Sequence, residues 1–161
     1  MSDREKAISI IDSIPDSQVC YVLNMLQNFK AALDEAADDT FCEHLYADYI
    51  EDNDTQKDEG MPIEQFAESL GITLWNNKII ILKRARKFIE KQTPKMQKKI
   101  LKAVYNLSNG DTKMLKGHKD VFRLRIDNVR VIYTVNHDIV TITVIDAGGR
   151  GQIYNNYWLI H

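Results

Sequence analysis

The sequence predicts an α+β protein in which an acidic, helical N-terminal half precedes a basic half arranged as strand, two helices and antiparallel meander. Apolar residues recur at three- and four-residue intervals through most of the first half and alternate with polar ones in the second, the two periods of helix and strand. Charge divides the chain in the same way. Residues 1–74 hold 17 acidic and 4 basic side chains, a balance of −13, whereas residues 75–161 hold 6 and 17, a balance of +11. The overall net charge of −2 conceals this split. A basic half with arginines on its strands suits a polyanion such as RNA, and an acidic half on the same chain suits an internal competitor for that surface.

Ser2-Asp3-Arg4-Glu5 has the spacing of a capping box. A short helix with Ala7, Ile8, Ile11 and Ile14 as its apolar edge is expected to follow and to end at Pro15. Asp16 or Ser17 then caps a longer helix carrying Val19, Val22, Leu23, Leu26, Phe29 and Leu33 at helical spacing. Such a pair buries little by itself, so residues 1–37 are expected to form a hairpin whose apolar face packs on another copy, as a homodimer, or on the rest of the chain.

Residues 38–74 form the next expected unit. Phe41, Leu45 and Tyr49 lie four residues apart on a separate amphipathic segment over 38–49, followed by a polar, turn-rich stretch over 51–60 with the character of a linker. Pro62 suits the first turn of a short helix with Ile63, Phe66, Ala67 and Leu70 on one side, stopped by Gly71. Segments this short gain stability only by laying an apolar edge on a partner.

Residues 75–161 form the third unit. Ile79-Ile80-Ile81-Leu82 is a continuous apolar run, as in a strand covered on both faces. Helices are expected over 83–91 and, after the Thr93-Pro94 cap, inward through Met96, Ile100, Leu101, Val104 and Leu107, with Gly110 as a left-handed terminator. A loop over 111–120 carries Lys113, Lys116, His118 and Lys119. Strands are expected over 121–126, 129–135 and 139–145, joined by turns at Asp127-Asn128 and Asn136-His137-Asp138. In the first of them Phe122, Leu124 and Ile126 alternate with Arg123 and Arg125, so both arginines point away from the apolar face.

No apolar run is long enough to span a bilayer, and Met1-Ser2-Asp3-Arg4-Glu5 does not open a signal peptide, so a soluble, cytoplasmic protein with no membrane partner is expected. Cys20 and Cys42 are too few for a zinc site or a disulfide framework.

In this order and spacing, Asn109-Gly110-Asp111, Leu115-Lys116-Gly117, Phe122-Arg123-Leu124-Arg125, Val129-Arg130-Val131-Ile132-Tyr133 and Arg150-Gly151-Gln152-Ile153-Tyr154 resemble the RelE-type toxins of the RelE/ParE superfamily, over about residues 75–155. Phe41-Cys42-Glu43-His44-Leu45-Tyr46 and the helix at 62–71 resemble, more weakly, the RelB-like antitoxins that accompany them, which would make the chain a toxin–antitoxin fusion. The resemblance implies a metal-independent, ribosome-dependent messenger-RNA endoribonuclease with no cofactor. It implies that Arg130 and Arg150 hold the scissile phosphate, that Arg123 and Arg125 serve flanking phosphate or transition-state charge, and that Tyr154 is a functional tyrosine. Lys113, Lys116, His118 and Lys119 would contact RNA, with His118 a candidate general acid, while Phe41, Leu45, Tyr49, Phe66 and Leu70 of the acidic half would make the inhibitory contact in cis. The sequence departs from the family pattern at Phe122, at Val129, in an extra glycine before Arg150 and in a tail over 155–161. A non-catalytic toxin–antitoxin-like interaction protein, or a gyrase-directed ParE-like toxin, is the alternative.

Overall fold

A computed structural model describes residues 1–74, 78–136 and 141–149. The fold is α+β, and the chain divides into two compact units, Met1–Asp38 and Asp39–His161. The acidic residues that follow Asp38 lie in the same unit as the basic half.

In the first unit, α1 (Asp3–Asp12) begins with the expected capping box: the Glu5 backbone N–H donates to Ser2 Oγ at 3.3 Å, and the Glu5 side chain accepts from the Ser2 backbone. It leads into α2 (Asp16–Glu51), one helix of 36 residues. The sequence reading placed two helices here. The apolar face changes near residue 38, but no proline or glycine interrupts residues 34–39, and nothing in the backbone stops the helix there.

Within the second unit the stretch read as a linker is tied down and ends in β1 (Gly60–Pro62), an edge strand antiparallel to β2 (Ile79–Leu82). Between them lies α3 (Ile63–Ser69). Gly71, at φ +72°, closes α3 with the 6→1 and 5→2 hydrogen bonds from Ile72 N–H to Ala67 and from Gly71 N–H to Glu68, both 2.9 Å. Helices α4 (Lys83–Glu90) and α5 (Pro94–Tyr105) follow, with Thr93 capping the second. Gly110 is not a left-handed terminator. It sits extended, at φ −90°, after a 3₁₀ turn at Leu107–Asn109, with its α-carbon face against Leu124.

The loop reading of 111–120 is also corrected: its start is β3 (Asp111–Met114), paired with β4 (Val121–Ile126). Its residues show no apolar alternation, so pairing with a distant strand makes it a strand. β4 turns at Asp127-Asn128, where Asp127 adopts φ +51°, into β5 (Val129–Asn136), which pairs with β6 (Thr141–Gly149). β6 runs four residues past the end expected from the sequence, and a bulge interrupts its pairing at Ile132/Tyr133. The turn residues His137 and Asp138 lie outside the described residues. The sheet order is β1-β2-β6-β5-β4-β3, with β2 and β6 the parallel pair.

Both faces of this sheet are covered. On one, α3, α4 and α5 bring Ile63, Phe66, Ala67, Ala85, Ile89, Ile100, Leu101 and Val104 onto Ile79, Ile81, Leu124, Ile126, Val129, Val131 and Tyr133. On the other, Cys42 of α2 joins Leu82, Leu115, Val121 and Ile132, with Leu45, Tyr46, Tyr49 and Ile80 packed around them. Apolar residues of the acidic half beyond Asp38 thus build into the core on both sides.

Candidate functional site

The second face carries the arginines. Alternation along β4 places Val121, Arg123 and Arg125 there, and the register sets Arg130 directly opposite Arg125 and Ile132 opposite Arg123. Like charges facing each other across a strand pair repel. The fold answers with carboxylates and carbonyls. Asp111, opposite Arg125 on β3, lies 3.5 Å from Arg125 Nη1 and 3.9 Å from Arg123 Nη1. Arg130 Nη1 donates to the Asp127 and Val129 carbonyl oxygens at 2.8 and 2.9 Å, which fastens it to its own hairpin. The Arg123 side chain is 2% exposed and that of Arg125 30%, so the first is a buried charge and the second reaches solvent.

Across this face runs the C-terminal part of α2. Asp39, Cys42, Leu45, Tyr46 and Tyr49 fall on one side of the helix and meet the sheet. Asp39 accepts two hydrogen bonds from the Lys113 ammonium, at 2.9 and 2.7 Å, and lies 3.7 Å from Arg123 Nε. Phe41 and Leu45 come so near Gly148 that a Cβ there would sit 3.1 and 2.9 Å from their carbons. Gly148 is the register partner of Arg130, so these two apolar side chains lie on the strand beside it. The Tyr46 ring meets the His118 ring edge-on, with centroids 4.8 Å apart.

The chain that leaves α2 is clamped as well. Lys57 donates to the Tyr49 and Ile50 carbonyls at 3.1 and 3.0 Å, satisfying the helix end, and its ammonium stands 5.1 Å over the Tyr49 ring. Tyr49 donates to the Asp58 carboxylate; burial, then that bond, push its phenol well above the ordinary tyrosine range. Asp52 pairs with Arg84 at 2.8 Å and Asp54 with Lys83 at 3.0 Å. Both carboxyls are held below the usual range, first by the backbone N–H groups of Asp54 and Gln56 respectively and then by these cations. The Glu59 carbonyl accepts from Arg86 at 3.2 Å.

The structure therefore gathers Arg123, Arg125, Arg130 and Lys113 with Phe41, Leu45 and Tyr49. Lys116, His118 and Lys119 are exposed in the adjoining loop, which turns at Gly117. Phe66 and Leu70 do not join them. They pack on the opposite face, because the chain crosses the sheet edge at β1 before α3 begins. Arg150 and Tyr154 lie outside the described residues. Sequence reasoning passed over Asp39, Asp52, Asp54, Lys83 and Arg84, which stand among many residues of like charge and are set apart only by their partners.

Free guanidinium groups grip phosphate oxygens in a planar fork and stay charged at any working pH. This face has the donors for that task, and in the folded chain carboxylates stand near them. Among the described residues no three His, Cys, Asp or Glu side chains converge as metal ligands, and no helix is long and apolar enough to cross a membrane.

No family model and no curated protein matches the chain. Among solved structures it is similar to an archaeal RelE–RelB complex from Pyrococcus horikoshii OT3, with TM-score 0.41 and 23% identity, covering 48% of this chain and 99% of that one. It is similar to a RelB–RelE antitoxin–toxin complex from Methanococcus jannaschii, with TM-score 0.37 and 23% identity over 47% and 95%. A third is the toxin–antitoxin complex RelBE2 of Mycobacterium tuberculosis, with TM-score 0.35 and 22% identity over 45% and 96%. The likeness is one of fold, over about half of the chain.

Proposed function

We propose that the chain is a toxin–antitoxin pair in one polypeptide, a messenger-RNA endoribonuclease held off by its own acidic segment. The observation that carries this reading is the position of Asp39, a carboxylate on Lys113 and beside Arg123, on the sheet-facing side of the helix that covers the arginine face. It stands where a phosphate would. With the cover lifted, Arg123, Arg125, Arg130 and Arg150 would hold the scissile phosphate and its neighbours, while Lys113, Lys116 and Lys119 would follow the backbone.

In the reaction, the ribose 2′-oxygen forms a bond to phosphorus as the 5′-oxygen leaves, giving a 2′,3′-cyclic phosphate and a 5′-hydroxyl. One proton leaves the 2′-hydroxyl and one reaches the 5′-oxygen. Tyr154 is assigned to the first transfer and His118 to the second, and the arginines offset the extra negative charge of the phosphorane. The chemistry asks for no cofactor. The ribosome, as the source of positioned messenger RNA, is the expected partner.

Because α3 and β1 build into the core, the test keeps the full chain. Asp39→Arg with Leu45→Arg sets like charge against the arginine face. Primer extension on translated messenger RNA from cells expressing this variant is expected to show cuts absent with the parent and lost on adding Arg125→Ala. A variant with the helix lifted and the sheet intact that makes no cuts overturns the reading. The non-catalytic alternative has an observation on its side: Arg130 Nη1 is engaged by its own hairpin and Arg123 is buried, as in a scaffold that keeps the arginines for structure.

A further inference from the structure

We infer that the first unit joins two copies of this chain through the apolar stripe of α2. Val19, Val22, Leu26, Phe29 and Leu33 follow one another at intervals of 3, 4, 3 and 4, the seam of a coiled coil, and Leu23 and Met25 widen it. At ~100° per residue all seven fall within an arc of about 160°. Val19 and Val22 are half-buried, but Leu23 is 52%, Met25 71%, Leu26 48%, Phe29 62% and Leu33 55% exposed. α1 adds Ile8, 50% exposed, whereas Ile10 lies two residues on and so on another side of that helix. Soluble monomers rarely leave so much contiguous apolar surface in water.

A second copy fits this stripe for two reasons. Between Ser17 and Leu33 the single charged side chain is Lys30, so the face offers no pattern of charge for a nucleic acid or a charged partner to read. The 3-4 seam is also self-complementary: under a two-fold axis the same residues meet as knobs and holes. The extent is adequate too. At ~100 Å² apiece the five exposed α2 residues and Ile8 bring about 600 Å² per copy, the lower end of the ~600–1,000 Å² per partner in stable interfaces.

Analytical ultracentrifugation of the full chain from about 1 to 100 μM tests this. A species of twice the chain mass is expected. Leu26→Glu with Phe29→Glu should convert it to one of single mass with helical circular dichroism retained, while Asn24→Glu, on the opposite side of α2, should leave it dimeric. Should the double variant lose helix, Leu33→Glu alone decides by the same criterion. A single-mass species throughout the range, or a dimer that survives these stripe substitutions in a folded chain, overturns the inference.

Discussion

Leu45 rests on Gly148 at a distance that leaves no room for a side chain: a Cβ built on that glycine would lie 2.9 Å from one Leu45 methyl carbon and 3.1 Å from the other. One strand over, Arg130 is the register partner of Gly148. The helix that carries the acidic cover thus reaches β6 through the absence of a side chain at this position.

Gly148→Ala is therefore expected to weaken the seating of residues 39–51, by about 1 kcal/mol because the obstructing atoms are ends of flexible side chains. In a Leu45→Ala background the cost should fall, with the Phe41 ring, 3.1 Å from the same point, the remaining obstruction. Urea unfolding of the four proteins of this cycle should give a coupling of at least ~0.5 kcal/mol. Additive effects would mean that the contact does not matter.

Asp39 and Asp111 both lie near Arg123, but their side chains are 18% and 54% exposed. Asp39→Ala takes a carboxylate from a nearly buried guanidinium and from Lys113, so a loss of ~1–3 kcal/mol is expected. Asp111→Ala, at an exposed position, should stay within ~1 kcal/mol. Chemical denaturation of the two variants decides the order, and the reverse order would contradict the assigned geometry.

Acid should loosen the clamp on the connecting turn. The Asp52 and Asp54 carboxyls titrate below the usual range when folded, so their ionised forms stabilise the fold above the ordinary carboxylate pKa. That contribution is lost as pH falls through the lowered values. Between neutrality and mild acid these two groups should cause no change, followed by lower amide protection factors (observed against intrinsic exchange at each pH) at residues 52–59 on further acidification. Asp52→Asn with Asp54→Asn should exchange fast at neutral pH and lose this acid step; an unchanged acid step would show that other groups cause it.

Much of this architecture was readable in the residues. Ser2 to Glu5, Thr93-Pro94 and Gly71 mark helix ends through local chemistry, and the alternation of Phe122, Leu124 and Ile126 with Arg123 and Arg125 assigns their faces before any partner is known. What escaped depends on distant pairing. β1 and β3 are short edge strands whose residues carry no alternation, and they become strands by bonding to Ile80–Leu82 and to Phe122–Arg125. The burial of Arg123 follows from which helix lies over it, and no property of β4 by itself specifies that helix. The helical period through Phe41, Leu45 and Tyr49 was visible, whereas the separation of Phe66 and Leu70 onto the other face required the crossing at β1.

The central claim is that residues 39–51 mask a surface that binds RNA. Titration of a fluorescent single-stranded RNA against the parent and against Asp39→Arg with Leu45→Arg, at a series of salt concentrations, tests it most directly. The parent should show no saturable binding, and the variant should bind with log K falling against log salt by ~0.7 per phosphate contact, a slope shallower by about one contact with Arg125→Ala. Equal RNA binding by parent and variant, or no salt-dependent binding by a variant whose residues 39–51 exchange freely, would contradict it.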